Sequence, residues 1–450
     1  MASPKMCCLL AVPLAIVLPL LVARLLALDV VAFVPSLPAV KPRASLAVLE
    51  RAGVGSPRVP RSVQQFVLRT WRATLGNQDS DYPQLQTLPQ TAVHFYLFFP
   101  THDPSLSRMM PNDTRLNRYS FRKHGAEIWW IRGLYDHPWR VHDVEAASLV
   151  VIPFIMGYCR RHLDRCSSMF AKLESELSTS PARGMPYMML STDWASRASG
   201  GIRDRKSFIL GGKLDGDPDM RQACTVVVPL VSSTPVQPEL DFGPRPICSF
   251  FMGQIDDARH YIERRLVFRA LKPLAQIATD CIHIFVVTYT LGLEGLERCP
   301  PRCWEKPPGC ISCHLPRSDA KEMNGIFNML VHKVQFGWHL PGDTNCSSRL
   351  YEIISAGAVP LIVGRAKSSL PFRNLIDWNS MSIDMPVSQG VQGILETLQR
   401  VVLAKTPEEI ARMRGVLAAH RQHLLWHYNK TEVVKAVLAD ANLTCTPRVQ

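Results

Sequence analysis

Between Leu340 and Gly364 the chain reads LPGDTNCSSRLYEIISAGAVPLIVG, and this segment restricts the fold more than any other. Pro341, Gly342, Asp343, Thr344 and Asn345 are turn formers, and Asn345 or Ser347 can cap a helix by accepting a hydrogen bond from a free backbone N–H. A helix is therefore expected from near Ser347. It carries apolar Leu350, Ile353 and Ile354 at helical spacing and stops at Gly357, the residue type best suited to a left-handed C-terminal cap. Val359 to Val363 then reads as a short buried strand, with Pro360 near its first position, where a missing N–H is tolerated.

The same segment carries chemistry. At such a helix start the free N–H groups and the dipole favour an anion, and Ser347, Ser348 and Arg349 add two hydroxyls and a fixed, forked cation. A diphosphate suits that set. On a helix Ser348, Arg349 and Glu352 share one face, so Glu352 can accept hydrogen bonds from a sugar hydroxyl while the helix start holds phosphate. The alternative is a well-capped helix with a surface Arg and Glu pair.

Strand signals bounded by helical segments recur along the chain. Ala92 to Phe99, Ser148 to Phe154, Met185 to Ser191 and Thr225 to Leu230 form one series. Ile247 to Met252, a helix from Asp256 to Leu271 and Ile282 to Tyr289 open a second, which the Leu340–Gly364 segment continues. Strands alternating with helices give parallel sheets, so the fold class is α/β with two halves. Pro407 to Tyr428 reads as a long helix.

A chain of 450 residues with 47% hydrophobic content can bury a large core and accommodates two globular domains. Residues 35–61 hold five prolines with little periodicity, which is the composition of a stem. Before it, Met6 to Ala23 is an uncharged run of 18 residues, roughly 27 Å as a helix. A signal anchor and a cleaved signal peptide both fit this run. Four Asn-x-Ser/Thr sequons, at Asn112, Asn345, Asn429 and Asn442, suit a lumenal chain. Eleven cysteines lie beyond the apolar run, so at least one is free or bonded to another chain if the rest pair. The net charge of +13 suits anionic partners such as nucleotide sugars, acidic polysaccharide or membrane headgroups. Nucleic acid is not expected, because no basic and aromatic interleaving of the stacking kind is present.

The chain resembles the exostosin-type glycosyltransferase family over roughly residues 92 to 385. The resemblance rests mainly on Pro341, Gly342, Asp343, Thr344, Ser347, Ser348, Arg349, Glu352, Gly357 and Pro360, with the continuation Leu370, Pro371, Phe372, Asp377 and Trp378. HDVEAASLVVIPF, STDWAS and FFMGQIDDAR are similar to further family segments in the same order. The departures are Phe336, Gly337 and Trp338 where the family has Phe-Cys-Leu, and Thr192 where it has His.

The resemblance implies a GT-B architecture of two Rossmann-like domains, with residues 91–243 binding the acceptor and 244–385 the nucleotide sugar. Residues 1–34 would be the anchor or signal peptide, 35–90 the stem and 386–450 C-terminal helices. It implies inverting transfer from a UDP-sugar to a polysaccharide or glycoprotein glycan, with no metal and no cofactor, in a single-pass type II Golgi membrane protein facing the lumen. The family also leaves room for a homo- or hetero-oligomer, or for a non-catalytic paralogue acting as a binding partner subunit. Carried over residue by residue, Ser347, Ser348 and Arg349 take the diphosphate together with Asp343 and Thr344, Glu352 takes the ribose, and Arg259 is a second phosphate cation. Asp193, after the MPYMML strand, is the candidate general base, its alternative being a capping or turn residue. Asn345 stands inside the phosphate loop, so its sequon is expected to be unmodified.

Other motifs have plainer readings. Asp215, Asp217 and Asp219 sit in a Gly and Pro turn and read as a solvated loop rather than a metal site. Cys299, Cys303, Cys310 and Cys313, beside His314, have zinc-like spacing, but in an oxidising lumen disulfides are favoured, as for Cys159 and Cys166. His420, His423 and His427 share a helix face that could ligate metal, but no acidic or Cys ligand is nearby in sequence.

Overall fold

The computed structural model describes residues 92–98, 125–154, 163–192, 208–212, 224–236, 245–255, 261–277, 282–287, 312–315, 320–342 and 345–449. In chain order these form β1 (Phe95–Leu97), α1 (Ala126–Tyr135), β2 (Arg140–Val141), β3 (Leu149–Val151), α2 (Leu163–Thr179), β4 (Tyr187–Ser191), β5 (Phe208–Gly212) and β6 (Cys224–Val227). There follow β7 (Ile247–Gln254), α3 (Ile262–Ile277), β8 (Ile282–Val287), β9 (Ser312–Leu315), α4 (Ala320–Val331), β10 (Val334–His339), α5 (Arg349–Ser355) and β11 (Val359–Val363). The last elements are β12 (Ile383–Met385), α6 (Gly390–Thr397), α7 (Pro407–Leu424) and α8 (Lys430–Val449).

The strands make two six-stranded sheets, β2-β1-β3-β4-β5-β6 and β12-β11-β10-β7-β8-β9. Every strand pair in both is parallel. This is the expected two-halved α/β architecture, and its cause is visible in the apolar runs. Leu149 to Val151 and Val359 to Val363 are buried throughout, as strands covered on both faces must be. Pro360 pairs opposite Gly337 of β10, one residue before β12 begins to pair at Leu361, so its missing donor falls ahead of that second ladder.

Several elements escape the sequence pattern. β5 reads FILGG and β10 reads VQFGWH, and their glycines interrupt the alternation that marks a strand. Gly337 is required there: a Cβ would come within 2.6 Å of the Ile353 side chain, so α5 lies directly on β10 only because that side chain is missing. The helix predicted from Asp256 is observed from Ile262. α7 stops at Leu424 rather than Tyr428, because Leu425 turns extended and Trp426 enters the core, donating its indole N–H to Pro229 O at 2.7 Å. Thr406, Pro407 and Glu409 supply a complete capping box at its start.

The largest hydrophobic cluster joins both halves. Phe95, Trp130 and Leu190 of the first half share it with Tyr351, Ile354 and Phe372 of the second and with Leu417, Trp426 and Val434 of the closing helices. Helix α8 thus returns to the first sheet, where Cys445 is disulfide-bonded to Cys224 of β6 across 221 residues. Cys248 is also disulfide-bonded, and Cys346 is buried and in no disulfide. Cys159, Cys299, Cys303 and Cys310, like the stem and apolar N-terminus, lie outside the described residues, while their expected partners Cys166 and Cys313 fall in α2 and β9. Among the described residues no helix is long and apolar enough to cross a membrane.

Candidate functional site

Helix α5 is seven residues long, and its position is fixed at both ends. Leu350, Tyr351, Ile353 and Ile354 are buried, and Gly357 takes the left-handed conformation expected of the cap, with φ of 68°. The last carbonyls of a helix have no partner within it. Here three guanidinium groups supply partners: Arg421 Nη2 donates to Ser355 O at 2.8 Å, Arg245 Nη2 to Ala356 O at 2.7 Å and Arg414 Nε to Gly357 O at 2.9 Å. All three arginines are buried, and desolvation lowers Arg421 to about 10, which leaves it protonated at neutral pH. Positive charge at a helix C-terminus is favourable, so these cations hold α5 by charge as well as by hydrogen bonds.

At the other end, the helix start departs from expectation in detail. Ser348 is the N-cap residue and makes no side-chain cap; Ser347 Oγ accepts from Arg349 N at 3.3 Å instead. Asn345 does not cap but donates from Nδ2 to Ser368 Oγ at 3.4 Å. Arg349 and Glu352 do share a face, forming an ion pair at 2.9 Å between Nη1 and Oε2. The Arg349 guanidinium lies 3.5 Å from the centroid of the Phe327 ring on α4, a stacking that holds the fork in one plane. Oε1 of Glu352 accepts from Ser233 Oγ at 2.6 Å. Ser233 belongs to the segment after β6, which also bonds Ser232 to Ser355 at 2.9 Å and Thr234 to Asn328 at 2.8 Å. The connection between the sheets is therefore stitched to α4 and α5.

A second set of groups gathers at the carboxyl ends of β7, β10 and β11, where open α/β sheets bind ligands. Arg264, in the first turn of α3, donates from Nε to Pro341 O at 2.8 Å and from Nη1 to Gln254 O at 3.1 Å. Its guanidinium lies 4.7 Å from the Tyr261 ring and against Gly342, where a Cβ would stand 3.0 Å from Nη2. Beside it, Glu263 takes Arg365 in a bidentate pair at 2.6 and 2.9 Å, fixing the turn after β11. Burial opposes ionisation of Glu263, but the Arg365 hydrogen bond and charge prevail and hold its carboxyl below the usual range. His339, the last residue of β10, is 1% exposed, and neither ring nitrogen has a hydrogen-bond partner. Burial, and then the Arg264 charge, lower it to about 3, so the imidazole is neutral.

Of the residues singled out from sequence, Ser347, Ser348, Arg349 and Glu352 come together on one short segment. Asp193, Arg259, Asp343 and Thr344 lie outside the described residues, as do Asp215, Asp217 and Asp219. Thr192, next to Asp193, is buried at the end of β4, where its N–H and Oγ–H donate to Glu127 Oε1 at 2.8 and 3.0 Å. His420 and His423 are core residues with ring centroids 6.0 Å apart, and among the described residues no group of three His, Cys, Asp or Glu is placed to hold a metal ion. Sequence reasoning missed Arg264, His339, Ser233 and the three arginines below α5. A seven-residue spacing puts Arg414 and Arg421 on one helix face, and that signal pointed inward.

The model of the Exostosin GT47 domain matches residues 105–401. No curated protein matches the chain in sequence. Among solved structures, the α,α-trehalose 6-phosphate synthase of Burkholderia multivorans is 9% identical, with a TM-score of 0.37, over 75% of this chain and 84% of that one. The E. coli structure described as trehalose-6-phosphate bound with UDP-2-fluoro glucose is 9% identical, with a TM-score of 0.36, over 65% and 73%. The S. aureus MnaA-UDP co-structure is 9% identical, with a TM-score of 0.32, over 79% and 97%. The family match covers every strand of the two parallel sheets except β1, and includes α5; the chain belongs to the exostosin GT47 family of glycosyltransferases.

Proposed function

We propose that the protein transfers a sugar, with inversion, from a UDP-sugar to a hydroxyl of a polysaccharide or glycoprotein glycan in the Golgi lumen. The observation that carries this reading is the Arg349–Glu352 pair at the start of α5, held in place by Phe327 and Ser233, with Arg264 fixed separately at the carboxyl end of β7. A departing diphosphate needs its charge balanced where it develops. The dipole of a seven-residue helix is small, so guanidinium charge carries most of that task, aided by the Ser347, Ser348 and Thr344 hydroxyls and by Arg259, with Asp343 completing the donor-binding set of this reading. Glu352 suits a ribose hydroxyl, since a carboxylate retains lone pairs beyond those used by Arg349 and Ser233. With these groups in place the transfer proceeds without a metal ion.

Asp193 is the base in this reading, removing the acceptor proton from a position after β4 of the first sheet. The reaction forms a glycosidic bond to the acceptor oxygen, breaks the bond from anomeric carbon to phosphate oxygen, and releases UDP. The test is UDP release over a panel of donors and acceptors. Turnover unaffected by EDTA, and lost in Glu352→Ala with the fold intact, supports the reading. UDP binding without turnover across the panel points to a partner subunit, and absence of UDP binding overturns the donor site.

A further inference from the structure

The connection from β11 to β12 lines an open surface depression that the proposed donor site does not use. It runs through two 3-10 turns, Gly364–Ser369 and Trp378–Ser380, and bounds about 360 Å³, within the range of small-molecule sites. Its walls are fixed. The Trp378 indole donates to Pro371 O at 2.8 Å, Ser380 Oγ to Asp377 O at 2.7 Å, and Asp377 Oδ1 accepts from Asn379 N at 3.0 Å. Asn374 is tied to helix α8, donating to Thr444 Oγ1 at 3.1 Å and to Asp440 Oδ1 at 3.4 Å. Between these anchors Phe372, 1% exposed, is held at φ of 55°, a conformation that bulky residues rarely adopt and that surrounding structure must enforce.

The lining has the chemistry of a saccharide site. Leu375, Ile376 and Trp378, buried in the core beneath it, leave a narrow apolar strip at its base against which C–H groups of a sugar can rest. The Asn379 amide and the Asp377 carboxylate are at its rim, a donor and acceptor set that hydroxyls satisfy. Arg373 is exposed and has no hydrogen bond or ion pair among the described residues, whereas Lys367 is balanced by Asp384 at 2.6 Å. This forked cation, its charge shared with Asp440 of α8 but tied by no hydrogen bond, stands beside hydroxyl-binding groups and suits a sugar bearing a carboxylate or a sulfate.

We propose that this depression is a second saccharide-binding site, distinct from the donor site, which takes an acidic sugar with its anionic group on Arg373 and its hydroxyls on Asp377 and Asn379. The assignment does not depend on the donor chemistry, and UDP binding serves as the internal control.

The experiment measures binding of the full chain to a short oligogalacturonate, a sulfated oligosaccharide of similar length and neutral maltotetraose. One of the two anionic probes binds, and which one tells carboxylate from sulfate as the group recognised. Arg373→Ala weakens it by roughly tenfold or more, the size of a lost charge-assisted hydrogen bond, and Asn379→Ala by roughly threefold to tenfold, that of a neutral one, while UDP binding stays unchanged. Arg400→Ala, the same charge change on an exposed residue outside the lining of the depression, leaves the affinity as it was. Equal binding of maltotetraose, equal weakening by Arg400→Ala, or no binding of either anionic probe overturns the site. Loss of UDP binding in the wild type bears on the donor reading alone.

Discussion

Ser233, in the connection between the two sheets, donates a 2.6 Å hydrogen bond to Oε1 of Glu352, 119 residues further along the chain. The other oxygen of that carboxylate is held by Arg349 at 2.9 Å. The residue proposed for the donor ribose is thereby anchored to both halves of the molecule, and its orientation depends on a side chain from outside the second sheet.

Removing that anchor has a small but measurable effect. Ser233→Ala is expected to cost about 1 kcal/mol in denaturant unfolding, the net worth of one hydrogen bond, and to raise the donor KM by less than tenfold. In a double-mutant cycle with Glu352→Ala most of the cost disappears, because the partner is already gone. Additive costs would show that the two side chains do not interact.

The arginines beneath α5 behave differently. Arg421→Met leaves Ser355 O without its guanidinium donor in a buried position, at a cost of about 1–3 kcal/mol. Arg421→Lys recovers part of it at most, since one ammonium does not reproduce the planar fork. Thermal melts of the two variants against wild type give the ranking, and a Met variant as stable as the native protein would remove the role assigned to this contact.

The Cys224–Cys445 bridge closes a loop of 221 residues, and a long loop loses much entropy from the unfolded chain when closed. Replacing both cysteines by serine is expected to cost roughly 2–5 kcal/mol. Comparing the Tm of the double variant with that of the wild type tests this, and equal melting temperatures would refute it.

Acid should weaken the fold through its histidines. His137, His423 and His427 are lowered to about 4 and His339 to about 3, in each case chiefly by burial. A histidine with a folded pKa below its unfolded value near 6.5 takes up its proton first in the unfolded chain. Stability from these groups is complete above about pH 6.5 and is lost as the pH falls from there toward 4 and 3. At pH 5.5 each contributes a loss of about 1 kcal/mol. Melting temperature measured from pH 7.5 to 5 should fall progressively, and His423→Gln should flatten the slope; a flat wild-type profile contradicts the prediction.

Much of this was legible in the sequence where local rules decide. The VPLIV run gave β11 with its observed bounds, and Gly357 took the left-handed cap that its type implies. Apolar runs also located β1, β3, β4, β6, β7 and β8 to within a few residues. β10 was hidden because Gly337 answers to Ile353 and not to the strand pattern, and β5 because Gly211 and Gly212 carry no apolar side chain to mark it. The donors to Ser355, Ala356 and Gly357 were hidden for a related reason: their partners are backbone carbonyls, which have no residue type to read. The Cys224–Cys445 pairing likewise depends on where α8 ends up in space, and spacing alone does not encode that.

The return of α8 to the first sheet has a consequence for how the protein can be cut. The family match ends at residue 401, yet α8 beyond it covers β6 and α1 and brings Val433, Val434 and Val437 into the same core as Trp130 and Val226. A fragment trimmed to the matched region would lose β1 from between β2 and β3 as well as the helix that covers the first sheet. Its exposed Trp130 and unpaired Cys224 would make it prone to aggregate, so the recognisable domain and the smallest piece able to fold are different stretches of this chain.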